Sequence, residues 1–136
     1  MNARILVVDD AATVRMYHRK LLTDAGWETS EASNGVEALE ILHRQTPDQA
    51  FDLLVVDINM PQMDGYRLVQ QLRKSGDLKQ PPVLMISTES QIADSQRAFA
   101  AGANSYLVKP VQPQCLVQTA ALMLGDADIL RQKDKK

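Results

Sequence analysis

Short apolar blocks recur along the chain, and each closes on a polar residue: Ile5-Leu6-Val7-Val8 before Asp9-Asp10, Leu53-Leu54-Val55-Val56 before Asp57, and Pro82–Ile86 before Ser87. Runs of that length, apolar at consecutive positions and followed by turn residues, suit strands buried on both faces. Trp27–Ala32 alternates weakly and predicts an edge-side strand, and Ser105–Val108 predicts a short last one running into Lys109-Pro110. Between them the apolar residues fall at helical spacing. Val14, Tyr17, Leu21, Leu22 and Ala25 mark a first helix stopped by Gly26, and Val36, Leu39 and Leu42 a second, opened by Asn34-Gly35 and ended by Pro47. Leu68, Val69 and Leu72 mark a third closed by Gly76, and Ile92, Phe99 and Ala103 the core face of a fourth. Pro113 opens a fifth, with Leu116, Ala120, Met123 and Leu124 as its stripe. Five strands alternating with five helices predict an α/β domain with a parallel sheet covered on both faces. The pattern does not fix the strand order.

A chain of 136 residues suffices for one well-filled domain, here expected at 1–125, with 126–136 a polar extension that is either a frayed helix or a solvated tail. No output domain is expected after it. With 15 basic and 17 acidic side chains and no long run of either sign, the chain offers no concentrated basic patch for nucleic acid. No apolar segment is long enough for a membrane span, and MNARILVVDD turns acidic where a signal peptide would turn to small residues. One cysteine, Cys115, excludes an internal disulfide framework. The expected location is the cytoplasm.

The polar residues at the strand ends change the picture most. In open parallel sheets, ligands collect in the crevice at the carboxyl ends of the strands. Those ends carry Asp9, Asp10, Asp57, Ser87 and Lys109. Crowded carboxylates repel one another unless a cation neutralises them. Magnesium suits such a site, because it takes one or two carboxylates, keeps waters and leaves room for a phosphate oxygen; manganese shares the preference. A lysine adds a point charge for the same phosphate, and a serine hydroxyl can donate to it. That inventory describes phosphoryl transfer, with Asp57 as the best nucleophile and the adjacent Asp9-Asp10 as a metal-holding pair.

Asp9-Asp10, Asp57 followed by Met60-Pro61 and Met63-Asp64-Gly65, Ser87, and Lys109-Pro110 form an ordered set that resembles the receiver domain of two-component response regulators. The resemblance runs from about Arg4 to Gly125. It implies a flavodoxin-like sheet in the order 2-1-3-4-5, an order the chemotaxis receiver exemplifies. It also implies Asp57 as phosphoryl acceptor, magnesium held by Asp10, Asp57 and the Asn59 backbone carbonyl, Asp9 acting mostly through water, Lys109 on the phosphoryl group, and a cis Lys109-Pro110 bond. Ser87 and Tyr106 would read out phosphorylation, with Thr88 and Glu89 as auxiliary residues. The implied partners are a histidine kinase or histidine phosphotransfer protein, and a target protein bound through helix four, strand five and helix five. Within the family the chain is most similar to the stand-alone chemotaxis regulators. It departs from them at Ser90-Gln91-Ile92, where the flagellar-switch binder carries lysines, and at Thr88, which is bulkier than the small residue usual there.

Other residues have plainer readings. Asp64 is expected to cap a helix, Cys115 to fill core space in helix five, Met60 and Met63 to pack in the loop, and His18 and His43 to lie at surface or partly buried positions with no ligand spacing. A magnesium-dependent phosphohydrolase with an aspartyl nucleophile is the alternative activity, but it would want a second Asp where Asn59 stands. A flavin carrier of the same topology would need a phosphate loop where Asp9-Asp10 would repel one. A degenerate receiver that only binds would not keep the acidic set and Lys109. The chain is therefore expected to assist its own phosphorylation rather than to be a conventional enzyme.

Overall fold

A computed structural model describes residues 2–134. Its sheet is parallel throughout, with β1 (Arg4–Val8), β2 (Glu28–Ala32), β3 (Leu53–Asp57), β4 (Val83–Ser87) and β5 (Ser105–Val108) in the order β2-β1-β3-β4-β5. Alternation along each strand divides the core in two. Leu6, Val8, Leu54, Val56 and Met85 face α2 (Gly35–Arg44), α3 (Gly65–Lys74) and α4 (Ile92–Ala101). Ile5, Val7, Leu53, Val55, Leu84 and Ile86 face α1 (Ala12–Asp24) and α5 (Pro113–Leu124). This is why the central strands are apolar at consecutive positions up to their polar ends: both sides of the sheet are covered by helices.

Four helices place individual residues differently from expectation. In α4 the buried residues are Ala98 and Ala101, while Ile92 is 76% exposed and Phe99 49%. Ile92 and Phe99 do share a face, being two turns apart, but that face points to solvent, while Ala98 and Ala101 take the core side. In α1 the buried pair is His18 and Leu22, four residues apart, and Tyr17 is half-exposed. In α5, Leu116, Ala120 and Ala121 are buried and Cys115 is exposed, so the thiol fills no core space. Val36 in α2 is also largely exposed, Ala38 and Leu42 taking the inner face.

Of the two readings of the segment after Gly125, the helical one holds: α6 spans Ala127–Asp134. Ile129 and Leu130 pack against the α1/α5 side of the core, and the buried Asp126 carboxylate accepts a 2.8 Å hydrogen bond from Trp27 Nε1.

Candidate functional site

The carboxyl ends of β1 and β3 lie side by side, since Val8 pairs with Val56, and this register brings the acids that follow them together. One oxygen each of Asp9, Asp10 and Asp57 lie within 4.8 Å of one another. Asp9 and Asp57 are buried and Asp10 is exposed, so the cluster opens outward through Asp10. Lys109, arriving from the end of β5, places its Nζ 3.1 Å from Asp9 Oδ2 and 3.1 Å from Asp57 Oδ1. Its position is set by the backbone: Lys109 N–H donates to the Ser87 carbonyl at 2.7 Å, and the Lys109-Pro110 peptide is cis.

The loop after Asp57 is fixed with equal care. Ile58 N–H donates to the Ile86 carbonyl at 3.0 Å, and its own carbonyl accepts from Gly65 N–H at 2.9 Å. A Cβ on Gly65 would lie 2.7 Å from the Asp57 carbonyl oxygen and 2.8 Å from Ile58 Cα, so only glycine lets α3 start against the strand end. Asp64 caps α3 by accepting from Arg67 N–H at 2.9 Å, as expected of it. Met60 is buried and Met63 packs against Gly35.

Burial, then the charge of Asp9 and to a lesser degree Asp10, push the Asp57 carboxyl up to about 6 against the opposing pull of Lys109. Burial by itself would lower Lys109, but the hydrogen bond and charge of Asp57, with Asp9 behind it, outweigh it and raise the ammonium. The pocket thus keeps its lysine charged and makes its central acid reluctant to ionise.

A family model described as the response regulator receiver domain matches residues 5–121. The chain belongs to that family. Among its relatives, chemotaxis protein CheY1 of Helicobacter pylori is 39% identical over 126 residues, 92% of this chain and 99% of the relative. The probable transcriptional regulator ycf27 of Porphyra purpurea is 38% identical over 92% of this chain, which spans only 49% of that longer protein. The chemotaxis response regulator CheY4 of Vibrio cholerae has a solved structure that superposes with a TM-score of 0.82 at 35% identity, covering 91% of this chain and 100% of that one. These similarities favour a signalling receiver over the phosphohydrolase alternative.

In this receiver the other expected residues take distinct places. Ser87 is fully buried; its Oγ accepts from Glu89 N–H at 3.0 Å and, more weakly, from Asn59 Nδ2 at 3.4 Å. Glu89 takes part through its backbone, since its carbonyl accepts from the Tyr106 hydroxyl at 2.6 Å, while the Thr88 and Glu89 side chains are exposed. Tyr106 is partly buried and packs against the α2–α4 side of the core. Arg15 carries no signal in the sequence, and His18 lies deeper than the surface or partly buried position expected of it. Arg15 Nη1 donates to the Asp9 carbonyl at 2.7 Å, although nothing in the spacing ties it to the acids. His18 is buried, and burial lowers its imidazole, aided by Lys109 and opposed by Asp9. With Val14, Tyr17, Thr88, Lys109, Pro110 and Val111 it lines a mostly apolar recess of about 260 Å³ beside the acidic cluster.

The donor set fits a hard divalent cation: clustered carboxylate oxygens with an open side, around a central acid that burial and then the neighbouring Asp9 charge make reluctant to ionise without one.

Proposed function

We propose that Asp57 accepts a phosphoryl group from the phosphohistidine of a histidine kinase or histidine phosphotransfer protein. The observation that carries this reading is the Lys109 ammonium lying 3.1 Å from both Asp57 and Asp9, with Asp10 in the same cluster at the end of a buried sheet. Asp10, Asp57 and the Asn59 backbone carbonyl would hold Mg2+ or Mn2+, with Asp9 acting through water. When bound, such an ion offsets the charge on the transferring phosphoryl oxygens.

The chain's own residues do the rest. Ionised Asp57 attacks phosphorus; an O–P bond forms as the donor's N–P bond breaks, and the imidazole nitrogen leaves with the electron pair. Lys109 stabilises the equatorial oxygens from its fixed position. Ser87 is the readout: its hydroxyl accepts from Glu89 N–H and can donate its own proton to a phosphoryl oxygen, and the Glu89 carbonyl hands any movement of that loop to Tyr106. Phosphorylation then shifts populations rather than creating a new state. The output is a protein contact through α4, β5 and α5, whose exposed apolar residues Ile92, Phe99, Val108 and Leu122 suit a partner of similar character. The receiver works as a cytoplasmic domain, in a chemotaxis-like pathway or as an intermediate in onward phosphotransfer.

Incubation with a small acyl phosphate and Mg2+, followed by intact-mass measurement, tests the assignment. Wild type should gain one phosphoryl group and Asp57→Asn none; equal labelling of both would refute it.

A further inference from the structure

Every polar atom of Asp9 has a partner. Its N–H donates to the Ala32 carbonyl at 3.2 Å, Oδ1 accepts from Ala11 N–H at 2.9 Å, Oδ2 accepts from Lys109 at 3.1 Å, and the carbonyl accepts from Arg15 Nη1 at 2.7 Å. Only the last comes from a side chain outside the acidic cluster. Within the turn from β1 into α1 the Asp9 carboxylate holds Ala11 N–H, but Ala11, the N-cap of α1, makes no side-chain cap of its own. Arg15 is itself held: its Nε donates to Glu31 Oε1 at 2.6 Å, and its side chain is only 14% exposed. That hydrogen bond keeps the Glu31 carboxyl below its ordinary range, so the clamp stays charged through neutral pH. The planar guanidinium presents Nε and Nη1 in a fixed fork, one to each acceptor, a geometry the single nitrogen of an ammonium does not reproduce.

We propose that Arg15 is a positioning residue for the acidic pocket: oriented by Glu31 on β2, it grips the Asp9 carbonyl and sets the Asp9-Asp10 turn at the spacing a divalent cation requires. The inference rests on the metal-assisted reading of the pocket given above. Arg19 provides the internal comparison. It also pairs with Glu31 and bonds to Thr29, stapling the same helix to the same strand, but it does not touch Asp9. A merely structural role would make the two arginines equivalent.

The experiment is calorimetric titration of the full chain with MgCl2, with the Asp9 and Asp10 amide resonances followed by NMR. Arg15→Ala should weaken Mg2+ binding about 10- to 100-fold, the range found for residues that orient metal ligands, and should shift the Asp9 and Asp10 amides before any metal is added. Arg19→Ala should bind Mg2+ as wild type does even if it melts earlier. Should Arg15→Ala not fold, Arg15→Lys decides, since it keeps the charge but loses the Nε/Nη1 fork that spans Glu31 and the Asp9 carbonyl; it too should bind Mg2+ more weakly. Wild-type affinity in Arg15→Lys or Arg15→Ala, or an equal loss in Arg19→Ala, would overturn the proposal. A wild-type chain that binds no Mg2+ would instead refute the reading of the pocket, and this inference with it.

Discussion

Replacing Asp57 by asparagine should stabilise the metal-free receiver. The carboxyl is lifted from 3.8 to about 6, chiefly by burial and then by Asp9. At about 1.4 kcal/mol per tenfold change in proton affinity, this amounts to roughly 3 kcal/mol against the charged form. Asparagine removes the charge at nearly constant shape but gives up the Lys109 ion pair, so a net gain of about 1–3 kcal/mol is expected. For a chain of 136 residues this corresponds to a rise in Tm of roughly 4–10 °C. The pH dependence has a definite sign. Between about pH 4 and 6 the folded wild type binds a proton that the unfolded chain releases, so the penalty is complete above about pH 6 and vanishes as pH falls towards 4. The gain in Asp57→Asn should follow the same course. Urea unfolding with EDTA at pH 7.5 and pH 4 measures it. Adding Mg2+ at pH 7.5 should then stabilise wild type more than the variant and narrow the gap. An Asp57→Asn protein no more stable than wild type at pH 7.5, or one whose advantage persists undiminished at pH 4, would refute the account of the pocket as electrostatically unbalanced.

Gly65→Ala should cost about 1–3 kcal/mol, the usual penalty of overpacking, because its Cβ meets the Asp57 carbonyl at 2.7 Å; it should also slow acyl-phosphate labelling, which separates it from a remote helix defect. Asp126→Ala leaves the Trp27 indole N–H without its buried partner and should lower stability by about 1–3 kcal/mol with labelling unchanged, readable in urea melts and in the emission of Trp27.

The sheet and the acidic set were legible because burial on both faces makes a strand conspicuous and makes its terminal charge anomalous. Leu53–Val56 offers no polar position at all, so Asp57 stands out. Where small residues carry the packing, the sequence misleads. Ile92 and Phe99 outweigh Ala98 and Ala101 on any hydrophobicity scale, yet the alanines take the core side of α4 and the larger side chains stay outside. His18 was misjudged for the opposite reason: a polar residue on the inner face of α1 is tolerated as a neutral imidazole, which burial favours. Arg15 could not be found by pattern, since its role depends on a backbone carbonyl, and any helix presents arginines at such spacing. Strand order was likewise invisible to periodicity and came from the family resemblance.

The charges in the pocket explain why it is built on this sheet. Three carboxylates and one ammonium leave a formal charge of −2, concentrated where the low-polarity core begins. A single divalent cation brings that sum to zero, whereas a second lysine would halve the deficit and occupy the space a phosphoryl oxygen needs. The imbalance persists in the metal-free protein only because the strands beneath cannot relax: Val8, Val56 and Ile86 are buried among apolar neighbours, so the strand ends cannot part without exposing the core. Apolar packing therefore supplies the stability that the pocket withholds, and the withheld part is recoverable when a cation binds. On this view Asp9 matters less as a ligand than as a source of repulsion, since it raises Asp57 while being tied at all four of its polar atoms.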